Sequence, residues 1–195
     1  MSTQNPKKGK VVIISGPSGV GKSTVCRELV RQIDAFLSVS ATTRPRSENE
    51  VDGKDYRFIS EAEFQKRIET GDFLEYAEVF GNLYGTPRED VRQALAQDKT
   101  VILEIDVQGA LIVKNSYPDA LMIFILPPSQ ADLAGRMAGR GRGEDGKTAR
   151  RRLDSASVEI ASAWQYYDYM VINADVKQAV EEIKKIIKEN TGAKE

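Results

Sequence analysis

The chain has 195 residues, enough for one compact domain with small inserted lobes. Its 28 basic and 29 acidic residues leave a net charge of −1, so bulk electrostatics calls for neither nucleic acid nor a membrane surface. One cysteine, Cys26, excludes an intrachain disulfide and favours a reducing, cytoplasmic setting, and the lack of histidine removes the commonest general base and metal ligand.

The first ten residues, MSTQNPKKGK, have no apolar signal core and read as a solvated tail, and no run reaches membrane-spanning length. Val11 to Ile14 is an uninterrupted β-branched run and predicts a buried parallel strand. It leads into Gly16-Pro17-Ser18-Gly19-Val20-Gly21-Lys22-Ser23, which satisfies G-x-x-x-x-G-K-[ST] without substitution. Thr24 to Asp34 follows at helical spacing, with Val25, Leu29, Val30 and Ile33 apolar. Strand, glycine loop and helix are the setting in which this motif cradles a polyphosphate. The glycines let backbone N–H groups point inward, and the helix adds its own unpaired N–H groups and the positive end of its dipole. Lys22 then reaches the β- and γ-phosphates and the Ser23 hydroxyl ligates Mg²⁺. Cys26, on the same helix, reads as a packing residue. The motif by itself leaves kinase, GTPase and ATPase open.

Phe36 to Thr43 predicts a strand, and Asp52-Gly53 a hairpin with Lys54 to Ile59 as the returning strand. Ser60-Glu61-Ala62-Glu63 is a capping box opening a helix that Gly71 ends. Phe73 to Phe80 and Leu83 to Gly85 predict strands on either side of a Gly81-Asn82 turn. Thr86-Pro87-Arg88-Glu89 reads as a second capping box, for a helix reaching about Gln97. Thr100 to Val107 predicts a buried strand carrying Glu104 and Asp106, which at a spacing of two point the same way. Carboxylates in such a run need partners, because burying an unpaired charge is costly. Gln108 to Ser116 is helical, Leu121 to Leu126 is a third core strand, and Ser129 with Asp132 caps the next helix. A stretch dense in arginine and glycine follows, with Arg136, Arg140, Arg142, Arg150, Arg151 and Arg152. Leu153 to Tyr167 is a helix and Met170 to Ile172 a short strand. Val176 to Lys188 is an amphipathic helix with Val176, Val180, Ile183, Ile186 and Ile187 on one face. Strands alternating with helices give an α/β parallel sheet, and residues 42–86 break that rhythm as an inserted β-rich lobe.

Seven segments carry a family resemblance: SGPSGVGKST at Ser15–Thr24, SVSATTRPR at Ser38–Arg46, EVDGKDYRF at Glu50–Phe58, FLEYAEVFGNLYGTP at Phe73–Pro87, ILEIDVQGA at Ile102–Ala110, ILPPS at Ile125–Ser129 and YDYMVIN at Tyr167–Asn173. With the arginine-rich stretch, they resemble a guanylate kinase over nearly the whole chain. The resemblance implies a P-loop NTPase-type parallel-sheet core (10–41, 87–128 and 155–190), a GMP-binding lobe (42–86) and an arginine-rich lid (129–154). It implies transfer of a phosphoryl group from ATP to GMP with Mg²⁺, by a cytoplasmic protein whose partners are these two nucleotides, with neither nucleic acid nor membrane, and with its oligomeric state open. By resemblance ATP is held by Gly16, Pro17, Ser18, Gly19, Val20, Gly21, Lys22, Ser23, Thr24 and Asn173. The GMP phosphate falls to Arg44, Arg46, Tyr56 and Tyr84, and guanine to Ser40, Glu75, Thr86 and Asp106. Lys22, Arg44, Arg136, Arg140 and Arg152 carry the catalytic charge, and Ser23 ligates Mg²⁺ with Glu104 acting through water.

The residue chemistry agrees independently. Guanine offers donors at N1–H and at its exocyclic amine, which suit carboxylates, whereas adenine leaves buried acids unpaired. Three features depart from the family pattern. Arg44-Pro45-Arg46 is one residue short, which sets Ser47 in the second arginine's column; Asn49 stands where glycine is common; and a lid one residue longer lets Arg151 compete with Arg152. Two other readings are a phosphopeptide-binding module without catalysis and a kinase acting on a ribose bisphosphate. The intact Gly21-Lys22-Ser23 weighs against the first, and the pairing of Glu75 with Asp106 against the second.

Overall fold

The computed structural model describes residues 9–138 and 146–191. In its first half the elements are β1 (Val11–Ser15), α1 (Lys22–Gln32), β2 (Ala35–Leu37), β3 (Ala41–Thr42), β4 (Arg57–Phe58), α2 (Glu61–Glu69), β5 (Phe73–Val79), β6 (Asn82–Pro87) and α3 (Arg88–Ala96). There follow β7 (Thr100–Glu104), α4 (Val107–Ser116), β8 (Leu121–Leu126), α5 (Gln130–Ala138), α6 (Gly146–Tyr166), β9 (Tyr169–Ile172) and α7 (Val176–Thr191).

Five strands form a parallel sheet in the order β2-β7-β1-β8-β9. β1 lies at its centre, with Ile14 opposite Glu104 on one side and Ile123 on the other. Alternate residues of β1 feed two separate apolar layers. Val12 and Ile14 pack with Val25 and Leu29 of α1 and Ile183 and Ile186 of α7, while Val11 and Ile13 pack with Val91 of α3 and Val113 of α4. A strand covered on both faces has no polar side, which is why its sequence is a continuous apolar run. Of the predicted face of α7, Val180, Ile183, Ile186 and Ile187 are buried in the first layer, and Val176 packs against it. Cys26 is fully buried there, and burial pushes its thiol well up, so packing is its role.

The second sheet has the order β4-β3-β6-β5, closed over a small cluster of Ala41, Phe64 and Phe73. Four expectations are corrected here. The predicted strand at Phe36 to Thr43 is two strands, β2 in the first sheet and β3 in the second, so the chain changes sheets at Ser38 to Ser40. Asp52-Gly53 does turn, with Gly53 at φ 75°, but no antiparallel hairpin forms, and β4 pairs parallel to β3. The aspartates there satisfy backbone instead of leaving it for a ladder, Asp52 accepting from Phe58 N–H and Asp55 from Val51 N–H. Thr86 does not cap α3; Pro87 stands at the cap and the Thr86 hydroxyl is taken by Glu75. Finally, β7 stops at Glu104, and Asp106 is the N-cap of α4, its Oδ1 accepting from Gly109 N–H at 2.8 Å. Glu104 and Asp106 therefore do not share a strand. The capping box at Ser60 does form, with Ser60 Oγ accepting from Glu63 N–H.

Candidate active site

At the C-terminal end of the parallel sheet, where α/β proteins collect ligands, a cavity of about 360 Å³ opens between the two sheets. Its one end is the glycine loop and first turn of α1, lined by Gly16, Ser18, Gly19, Gly21, Lys22, Ser23 and Thr24. α1 leaves the loop without a side-chain cap, so its first N–H groups are left for something else. The loop's shape depends on glycine. Gly16 has φ 154° and a Cβ there would sit 2.5 Å from the Ile125 carbonyl oxygen; Gly21 has φ 101° and a Cβ there would sit 2.6 Å from Asn173 Nδ2.

Around the loop the polar groups are tied down. Lys22 Nζ donates to Gly16 O at 2.6 Å and Pro17 O at 3.2 Å. Ser23 Oγ donates to Glu104 Oε1 at 2.7 Å, a hydroxyl and carboxylate pair of the hard oxygens that suit Mg²⁺. Asn173 is buried and its Nδ2 donates to Val20 O at 2.8 Å, while Arg136 donates to Val20 O and Asn173 O. Both therefore grip the loop from behind rather than line the cavity. Arg140 lies outside the described residues, as do the side chains of Arg151 and Arg152.

The other end is built by the second sheet. Glu75 of β5 is buried; its Oε1 accepts from the Thr86 hydroxyl of β6 at 2.5 Å, and Ser40 and Asp106 line the wall beside it. Burial pushes Glu75 up to about 7, the Thr86 hydrogen bond opposing and the Asp106 charge adding to that rise. Thr86 has one proton to give and gives it to Glu75, so it orients the acid. Ser38, also on this wall, has a buried Oγ without a hydrogen-bond partner.

Arg44 crosses the outer side. It donates to Glu50 Oε1 at 2.7 Å and lies over the Tyr56 ring at 5.5 Å, and Tyr56 meets Tyr84 edge to face at 5.8 Å. Burial pushes the Tyr56 hydroxyl well up, so it stays a neutral donor. Arg46 is exposed and donates to the Glu50 carbonyl, outside the cavity wall, whereas Ser47 lies within 3.4 Å of Arg44. The structure thus gathers Ser40, Arg44, Tyr56, Glu75, Tyr84, Glu104 and Asp106 round one cavity with the loop, and leaves Arg46 out.

Sequence reasoning missed three contributors. Gly109 lies against Glu75, and a Cβ there would overlap the Glu75 carboxylate. Arg27 of α1 pairs with Asp55, joining the loop's helix to the turn beyond Asp52. Glu159 of α6 enters the cavity wall, where burial pushes it up to about 7. A signal for Glu159 was present: an acid set between alanines three before and four after it, on what is otherwise an apolar face.

A phosphate-binding loop at the switch point of a parallel sheet, joined to a second sheet that presents a buried carboxylate, defines a P-loop nucleotide-binding protein. The family model described as guanylate kinase matches residues 8–190. A guanylate kinase of Clostridium acetobutylicum is 49% identical over 181 residues, covering 93% of this chain and 86% of that protein. One from Thermosynechococcus vestitus is 49% identical over 182 residues, covering 92% and 94%. The crystal structure of guanylate kinase from Anaplasma phagocytophilum superposes with a TM-score of 0.81 at 32% identity, covering 96% of this chain and 88% of that one. The chain belongs to the guanylate kinase family.

Proposed function

We propose that the loop end of the cavity takes the phosphates of ATP and the wall around Glu75 takes GMP, so that the chain makes ADP and GDP by transferring the γ-phosphoryl group. Family membership supports the reaction. The observation that carries the assignment of the two ends is one cavity holding both the phosphate loop and a buried carboxylate with Asp106 beside it. In this reading 42–86 is the acceptor lobe, 129–154 the lid, and the remainder the core.

Glu75 and Asp106 accept from the N1–H and amine of guanine, and Ser40 donates near O6. Tyr56, Tyr84 and Arg44 hold the GMP phosphate, a dianion suited to a guanidinium and two phenols. Arg44 then exchanges Glu50 for phosphate. Arg46 reaches the same phosphate only after the loop turns inward. Because GMP attacks as a dianion, no dedicated base is needed, and catalysis consists of alignment and charge neutralisation. Lys22 and the lid arginines Arg136, Arg140 and Arg152 supply the positive charge. Arg136 must leave the Val20 and Asn173 carbonyls to do so. Ser23 and Glu104 would hold Mg²⁺, Glu104 through water, and the ion when bound neutralises the phosphate oxygens. Among the described residues no helix is long and apolar enough to cross a membrane.

The test is ADP release with ATP and Mg²⁺, offering GMP, AMP, UMP and ribose 1,5-bisphosphate in parallel. GMP alone should support fast release. Release with another acceptor at comparable kcat/KM would overturn the assignment of the Glu75 wall while leaving the loop's role standing.

A further inference from the structure

Gly109 is the third residue of α4 and is buried. Its φ is not positive, so the backbone does not require glycine there. Glycine is also among the weakest helix formers, so helix stability argues against it. The missing side chain leaves room for Glu75 of β5. A Cβ on Gly109 would overlap Glu75 Oε2, and it would stand 2.9 Å from Glu75 Cδ and 3.2 Å from Asp106 Oδ1. Gly135, a glycine of α5, has nothing within 4 Å of the same point, so close approach is not general to the helical glycines of this chain.

Neither side of this contact is free to retreat. Ala110 and Val113 of α4 are buried in one apolar layer with Leu74 of β5, which presses the helix onto the strand. Glu75 Oε1 takes the Thr86 hydroxyl, so one oxygen of the carboxylate is tied to β6 while the other rests on the bare Cα of Gly109. The N–H of Gly109 meanwhile donates to Asp106 Oδ1 at 2.8 Å. One residue thus touches both acids, Asp106 through its N–H and Glu75 through its lack of a side chain. A side chain at this position would push the Glu75 carboxylate away from its place, because overpacking is relieved where the chain moves most easily.

We propose that Gly109 is a positioning residue for acceptor specificity: its bare Cα seats the Glu75 carboxylate beside Asp106 and so sets the spacing at which the two acids meet the guanine edge. The proposal rests on the reading of the Glu75 wall as the guanine site.

Gly109→Ala keeps the N–H that holds Asp106 and favours the helix, so it changes chiefly the room left for Glu75. Steady-state kinetics with GMP and ATP varied in turn, together with the melting midpoint of the free protein, compare it with wild type. We expect KM for GMP to rise about tenfold or more, as for a lost hydrogen bond to a charged group. KM for ATP should be unchanged, and the midpoint unchanged or raised. An unchanged KM for GMP overturns the proposal. A rise in both KM values with a lowered midpoint overturns it equally, since that is the mark of a disturbed fold. Glu75→Ala supplies the second arm. With no carboxylate at 75 for the Cβ to meet, adding Gly109→Ala should leave KM for GMP where Glu75→Ala alone puts it. Additive losses in the double variant would show that Gly109 does not act through Glu75. Wild-type KM for GMP in Glu75→Ala would sink the guanine reading of the wall, whereas an impaired Glu75→Ala beside a wild-type-like Gly109→Ala would sink only the role of Gly109.

Discussion

Glu75 shows how one residue ties fold to chemistry. Its carboxylate is buried against Thr86 and Gly109, and burial is what pushes it up to about 7. The native state therefore keeps this proton where the unfolded chain has lost it. The stability tied to Glu75 is fully present below about pH 4.5 and is lost as pH rises toward 7, a swing on the order of 3 kcal/mol. In the proposed reading guanine donors meet this acid and prefer it ionised, so GMP binding should run the other way and improve over the same range. With the acid at about 7, binding through its ionised form is weakened about tenfold at pH 6 and hardly at all at pH 8. KM for GMP should thus fall about tenfold between those two values in wild type. The GMP phosphate titrates nearby and contributes a slope of its own. Glu75→Gln isolates it: this variant should bind GMP poorly at both values and keep only the slope of the phosphate. An undiminished slope in Glu75→Gln would remove Glu75 from guanine recognition.

At the scale of elements, Asp106 caps α4 and, in the proposed reading, also accepts from guanine, two roles that substitutions can separate. As N-cap of α4 it satisfies Gly109 N–H, and losing such a cap costs about 1 kcal/mol. In a chain of this length that lowers the melting midpoint by about 2–4 °C. Asparagine caps as well as aspartate but carries no charge. Asp106→Ala should therefore lose both stability and GMP use, whereas Asp106→Asn should melt with wild type and still show a raised KM for GMP. Equal melting of the two variants would mean the cap contributes nothing. The sequence showed the elements of the parallel sheet well, because β1, β7 and β8 are buried on both faces and their apolar runs leave little choice. It misjudged the places where a polar side chain was claimed from across the fold. Thr86 looked like a cap because Glu89 lies three residues on, but a buried Glu75 needs a donor more than α3 needs a cap. Asp52-Gly53 looked like a hairpin because two-residue turn chemistry is local, while the pairing of β4 with β3 is decided by chain far away. The glycine loop was legible in full as a linear motif. Gly109 was not, since its importance arises only when α4 docks beside β5, and Glu159 showed only as an acid between two alanines on an apolar face.

Across the whole molecule, one cavity is shared by two sheets, between which the chain crosses at Ser38 to Ser40 and again at Pro87, and Leu74 of β5 is buried in the same apolar layer as Val11 and Ile13 of β1. The pairing of Arg27 with Asp55 also joins them, but half-exposed pairs of this kind contribute little by themselves. A ligand that touches both sheets should therefore add to the junction that Leu74 already makes. By linkage, GMP at a hundredfold excess over its dissociation constant adds about 2.7 kcal/mol to the native state. At about 2–4 °C for each kcal/mol, the melting midpoint should rise by roughly 5–10 °C. IMP keeps O6 and N1–H but lacks the exocyclic amine, so one buried carboxylate oxygen loses its donor. A hydrogen bond to a charged group is worth about 1.5–3 kcal/mol, which weakens IMP by about ten- to a hundredfold. At the same concentration IMP should give about half the shift of GMP or less. AMP turns the lone pair of its ring N1 toward the acids and should give almost none. Thermal melting with the three nucleotides, without ATP, measures all of this at once. Equal shifts from IMP and GMP would show that the amine meets no acid, and the carboxylate wall would then have to bind something other than the guanine edge.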